Sequence, residues 1–196
     1  YHLDFETYQQ AIPEHKGIKP FEQIPFQYSL HIEYVDGTLI HKEYLSKDSV
    51  DSRYELALKL CEDIPSDVTV LAYNMSFEKG VIKRLANLFP NLSTHLLAIN
   101  ENMQDLMTPF QKKWYVTPSM QGSYSIKYVL PALVPEFEKA YKELDGVQNG
   151  SQAMNAFANL SKLDEVSKQK MRSSLLEYCK LDTLAMVKVL EKLKSL

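Results

Sequence analysis

The run FQYSLHIEYVDGTLIHKEYL, residues 26–45, constrains this chain more than any other stretch. Apolar and polar residues alternate on both sides of Asp36-Gly37. Successive strand side chains point to opposite faces, and Asp-Gly suits a tight reversal, so the run predicts a β-hairpin. A hairpin with one apolar face needs cover, and the neighbouring segments offer it. SVDSRYELALKLCEDI carries Leu56, Leu60 and Ile64 at helical spacing and is closed by Pro65. DVTVLAY is a short β-branched run that leads into the helical pattern MSFEKGVIKRLANLF, which Pro90 ends. With a strand at the start, the order is strand, hairpin, helix, strand, helix, which predicts an α/β fold with a mixed sheet and covering helices. A fifth short strand is expected between Asn102 and Met107.

The second half reads mainly helical, broken into short pieces by Pro109, Pro118, Pro131 and Pro135. A long last helix, broken at most once, is expected from about Asp164 to Leu196. Its apolar stripe includes Leu175, Cys179, Met186, Val189 and Leu193. With 196 residues, 45% of them hydrophobic, the chain suits one globular domain over 1–196. It opens on a candidate catalytic strand without Met, which reads as a piece of a longer protein with a further domain.

A net charge of -3 gives no global basic field, but an acidic site and a local basic groove cancel in such a sum. Cys61 and Cys179 match neither a disulfide framework nor a zinc spacing, which points to a reducing, cytoplasmic setting. No apolar run is long enough to span a membrane, so no membrane partner is expected.

The opening YHLDFET poses an electrostatic problem. In a strand, Tyr1, Leu3 and Phe5 share the apolar face, and Asp4 and Glu6 lie side by side on the other. Adjacent carboxylates repel, and a bound cation removes the conflict. Two further acids stand in suggestive places. Glu78 falls in the first turn of a helix after a strand, and Tyr178 and Asp182 are four apart on one helical face. Each alone has an ordinary reading: a wet strand face, an acid complementing a helix N-terminus, a half-exposed helical pair.

Together, in this order, the three sites resemble the DEDD superfamily of 3′–5′ exonucleases, tyrosine subclass, on an RNase-H-like fold. The first motif of that family, Asp-x-Glu, is matched by Asp4 and Glu6. The second, Asn-x-x-Phe-Asp, is matched by Asn74, Phe77 and Glu78, with Glu in place of Asp and so one methylene longer. The third, Tyr-x-x-x-Asp, is matched by Tyr178 and Asp182. YSIKYVL echoes a Ser-Leu-Lys-like segment of the family, and a set of uncharacterised bacterial domains is closer still. Glu177 stands where the histidine subclass has His, and none of the five histidines is placed to replace it.

The resemblance implies a mixed five-stranded sheet flanked by helices and a two-metal phosphodiester hydrolysis with Mg²⁺ or Mn²⁺. Asp4, Glu6, Glu78 and Asp182 are then the metal ligands, and Tyr178 orients the attacking water. A phenol with a pKa of about 10 is a poor base at neutral pH, so it positions rather than deprotonates. Single-stranded DNA or RNA is the implied partner, and Thr7 matches a position that contacts the terminal nucleotide. Asn74 and Met75 fall near that nucleotide, and Phe77 reads as core. PFQKKWYVTPSMQGSYSIKY interleaves Lys112, Lys113 and Lys127 with aromatic residues, as a single-strand groove requires. The same pattern also suits solvated lysines over a core. Two other functions remain open: a nuclease-fold binding module with little or no catalysis, and a phosphoesterase acting on small oligonucleotides.

Overall fold

The computed structural model describes residues 1–15 and 17–195. Five strands form one sheet: β1 (His2–Tyr8), β2 (Ile24–Glu33), β3 (Leu39–Leu45), β4 (Val70–Ala72) and β5 (Met103–Asp105). Their order across the sheet is β3-β2-β1-β4-β5. The expected hairpin forms β2 and β3, antiparallel from Gln27–Leu45 to Glu33–Leu39, with Gly37 in the left-handed region at its turn. β1 runs antiparallel to β2 and parallel to β4, and β4 is parallel to β5. The fold is therefore α/β with a mixed sheet, and the acidic strand β1 lies at its centre.

Among the described residues seven α-helices accompany the sheet: α1 (Arg53–Asp63), α2 (Ser76–Leu88), α3 (Pro90–Glu101), α4 (Thr108–Gln111), α5 (Ile126–Leu133), α6 (Gly150–Ala158) and α7 (Glu165–Lys194). Leu3 and Phe5 of β1 and Tyr28, Leu30 and Ile32 of β2 pack in one core with residues of α1, α2 and α3. The other core joins Tyr8 and Phe26 to residues of α5, α6 and α7, including Val129, Phe157, Leu175 and Met186. β2 serves both cores because its register shifts beside Glu6 and Thr7. That bulge gives β2 one extra residue, Phe26, so Ile24 and Phe26 turn away from the face that holds Tyr28.

α7 runs unbroken over 30 residues, and its Asp164 N-cap accepts from the Ser167 N–H at 3.1 Å. The prolines act differently from the sequence expectation. Pro109, Pro118 and Pro135 occupy first or second positions of short helical segments, where the missing N–H costs nothing. Pro131 corrects the reading most plainly, since it lies inside α5 and does not break it. Its loss is one intrahelical bond, and α5 ends two residues later at Leu133. No helix among the described residues is long and apolar enough to cross a membrane.

Candidate metal centre

α7 crosses the face of β1 that carries Asp4 and Glu6, because its own apolar stripe buries Leu175, Cys179 and Met186 there. Asp182 is thereby delivered to the strand. One ligand atom from each of Asp4, Glu6 and Asp182 lies within 4.8 Å of the others. The three acids line a cavity of about 180 Å³ together with Tyr73, Lys127 and Tyr178. The bulge in the β1–β2 pairing falls directly after Glu6, at the edge of this cluster.

Glu78 does not join that close set, but it adds to the negative charge felt by Asp4 and Glu6. It sits in the first turn of α2 and is only 2% exposed, and its Oε2 has no hydrogen-bond partner among the described residues. Asp105, at the end of β5, organises the turn that leads there. Its carboxylate accepts from the N–H groups of Asn74 at 3.0 Å, Met75 at 3.3 Å and Met107 at 2.9 Å. Asn74 holds a left-handed φ of 70°, a conformation that Asn tolerates better than most residues.

All four acids are held in an environment hostile to charge. Burial pushes Asp4 well above the usual carboxylate range, and Asp182, Glu6 and Glu78 push it further. Burial raises Glu6 to about 8, with Asp182 adding to it and Lys127 opposing. Glu78 is also raised to about 8, by burial and then by the charge of Asp105, against a backbone hydrogen bond that lowers it. Asp182 is raised by burial, while the hydroxyls of Tyr141 and Tyr178 and the Lys127 ammonium work the other way. A cluster so built gains from a cation. The donors are all oxygen, which suits Mg²⁺ or Mn²⁺, and the orphaned Glu78 oxygen is a buried acceptor in want of a partner. The residues fit a hard divalent ion.

Tyr178 is 5% exposed and belongs to the α5–α7 core while also lining the acidic cavity. Burial first, then Asp182, raises its phenol far above the ordinary value, so it keeps its proton at neutral pH. Two neighbours escaped the sequence reading. Tyr141 donates to Asp182 Oδ1 at 2.7 Å, and nothing in the irregular segment around it marks that role. Cys179 lies with Sγ 3.6 Å from Asp4 Oδ2, and burial raises its thiol so that it stays neutral.

The residues expected on the substrate side divide. Lys127 reaches the acidic cavity, stands 4.9 Å from the Tyr141 ring and 5.3 Å from the Tyr178 ring, and donates to the Gln148 carbonyl at 3.0 Å. Thr7 lines an adjoining cavity of about 240 Å³ with Glu6 and Phe77. Phe77 also packs against the α1–α3 core, as does Met75. Asn74 lines a different cavity, described below. Lys112 and Lys113 are exposed beyond α4, and neither lines the acidic cavity. Lys112 instead sits 5.2 Å from the Trp114 ring centroid.

Fold and site thus define an α/β protein with a buried carboxylate cluster between its central strand and its longest helix. A family model described as "Domain of unknown function (DUF2779)" matches residues 1–125, more than half of the chain, and the chain belongs to that family. It is also similar to an uncharacterized protein of Ureaplasma parvum, at 29% identity over 157 residues. That match covers 74% of this chain and spans 22% of the relative's length. No solved structure matches.

Proposed function

We propose that this domain is a metal-dependent 3′–5′ exonuclease of the DEDD type, acting on the end of single-stranded DNA or RNA. The observation that carries the reading is the meeting of Asp4, Glu6 and Asp182 within 4.8 Å, from the first strand and the last helix. The sheet order β3-β2-β1-β4-β5, with β2 antiparallel to its neighbours, supports the RNase-H-like part of it.

Asp4, Glu6 and Asp182 would hold Mg²⁺ or Mn²⁺, with the buried Glu78 carboxyl close by at the start of α2. When bound, such ions lower the pKa of water and steady the charge that builds on the phosphate oxygens. Tyr141 fixes the Asp182 carboxylate by its 2.7 Å hydrogen bond. Tyr178 keeps its phenolic proton and orients water with it. Lys127 meets the scissile phosphate, and Thr7 with Phe77 borders the cavity for the terminal nucleoside. The far greater length of the Ureaplasma relative supports a domain that works within a larger protein, in the reducing setting its free cysteines suit.

End-labelled single-stranded DNA and RNA, incubated with and without Mn²⁺, test the reading. A ladder that shortens from the 3′ end only with metal is expected, and intact strands in both arms would end it. One observation favours a second reading, a nucleic-acid-binding module with weak catalysis. Glu78 replaces the family Asp and stays outside the close ligand set. Tight strand binding without metal-stimulated cleavage selects that module.

A further inference from the structure

The acidic cavity, at about 180 Å³, is smaller than the roughly 300–1,000 Å³ of pockets that enclose organic ligands. It has room for a phosphate group, and the nucleosides on either side must lie outside it. Two cavities adjoin it. The first shares Glu6 and is bordered by Thr7 and Phe77. The second, about 720 Å³, shares Tyr73 and Ile126 with the acidic cavity and continues along Asn74, Gln121, Ser123 and Tyr124.

We propose that this second cavity is a subsite for the penultimate nucleotide, whose base stacks on Tyr124 while Asn74, Gln121 and Ser123 offer polar contacts to sugar and phosphate. The inference rests on the nuclease reading and names the part of the substrate that the larger cavity takes. Its wall is built rather than loose. The Tyr73 hydroxyl donates to the Tyr124 carbonyl at 2.6 Å, tying the 121–126 segment to the end of β4. Gln121 and Gly122 both hold left-handed φ angles, 53° and 76°, and so turn the chain sharply ahead of Tyr124. The Tyr124 side chain remains 47% exposed, an aromatic face that no core claims.

The placement explains how one strand crosses three compartments. Ile126 borders both cavities, and Lys127 follows it in the first turn of α5 and lines the acidic one. A cation therefore stands where the linking phosphate passes from one cavity to the next. Stacking on an aromatic ring is sequence-tolerant, because every base offers a π-face. The subsite accordingly reads the presence of a second nucleotide and is indifferent to its base.

Calorimetric titration in Ca²⁺ tests this with thymidine monophosphate and with a thymidine dinucleotide whose linkage is a non-hydrolysable phosphonate. The dinucleotide is expected to bind at least about tenfold more tightly than the mononucleotide. Tyr124→Ala is expected to erase most of that gain, on the five- to hundredfold scale of one stacked base. Tyr124→Phe, which keeps the ring, should retain it, and this guards against a loss due to misfolding. Equal binding of the two ligands, no binding of either, or an undiminished gain in Tyr124→Ala would each overturn the subsite. If the gain disappears in Tyr124→Ala but no strand is shortened with Mn²⁺, the subsite stands and the exonuclease reading falls. If strands are shortened and the gain survives the substitution, the reverse holds.

Discussion

Tyr141 and Asp182 meet through a 2.7 Å hydrogen bond that ties the segment between α5 and α6 to the acid supplied by α7. The ring of Tyr141 is buried, so its hydroxyl has little freedom to turn elsewhere. Groups that orient a ligand in this way affect affinity by about ten- to a hundredfold in well-studied metal sites. Tyr141→Phe should raise the Mn²⁺ concentration for half-saturation by that order and leave the melting temperature of the metal-free protein almost in place. Unchanged Mn²⁺ binding in a folded variant would reduce Tyr141 to packing.

Tyr178 separates a hydroxyl role from a ring role. Tyr178→Phe keeps the buried ring and should lower the cleavage rate by roughly ten- to a thousandfold, the scale of a lost positioning hydrogen bond. Tyr178→Ala should in addition destabilise the domain by about 3 kcal/mol or more, since the side chain is 5% exposed in the α5–α7 core. Full activity in the Phe variant would take Tyr178 off the catalytic list.

Asp4→Asn removes a charge from the centre of the cluster. Cleavage should stop, yet the metal-free protein should melt higher by a few degrees, because Asp4 is raised by burial and by three neighbouring acids. For a chain of this size each 1 kcal/mol corresponds to roughly 2–4 °C. Mn²⁺ should raise the melting temperature of the wild type and do so far less in the variant. A variant that melts lower in chelator would mean that the carboxylates do not repel.

His31 gives the fold an acid-side weakness of its own. Its Nδ1 is paired with Thr183 Oγ1 at 2.7 Å, and burial, then His41, His2 and Lys180, lower its pKa to about 4. The unfolded chain takes this proton near pH 6.5 and the folded chain only near 4, so the unfolded state binds more protons in between. Stability must therefore fall as the pH drops through that window, by up to about 2 kcal/mol at pH 5. Denaturant titrations at pH 7 and pH 5 should show His31→Gln losing less stability than the wild type over that interval. Parallel losses would assign the effect to other groups.

The features legible in the sequence were those written in local spacing. Alternation around Asp36-Gly37 defined the hairpin, period two on β1 paired Asp4 with Glu6, and the apolar stripe of α7 set the side from which Asp182 approaches. Tyr141 and Asp105 had no such signature. Their roles arise from which irregular segment lies across which acid, and that is decided by packing between distant parts of the chain. The bulge at Phe26 was hidden for a related reason, since an extra residue is visible only against the partner strand that lacks it. Lys112 and Lys113 show the converse, a suggestive pattern that the path of the chain carries away from the cavity.

The acidic cluster also has a place in time. Asp182 follows Glu6 by 176 positions, so a ribosome adding 5–20 residues per second makes the first two acids roughly 9 to 35 s before the third. Throughout that interval the nascent chain lacks the third acid of the close set, beside strands whose second face awaits its cover. α7 brings both the cover for that core and the third acid of the cluster. If the cluster takes an ion as proposed, tight capture would wait on the synthesis of α7, and a chain abandoned before that helix would lack it.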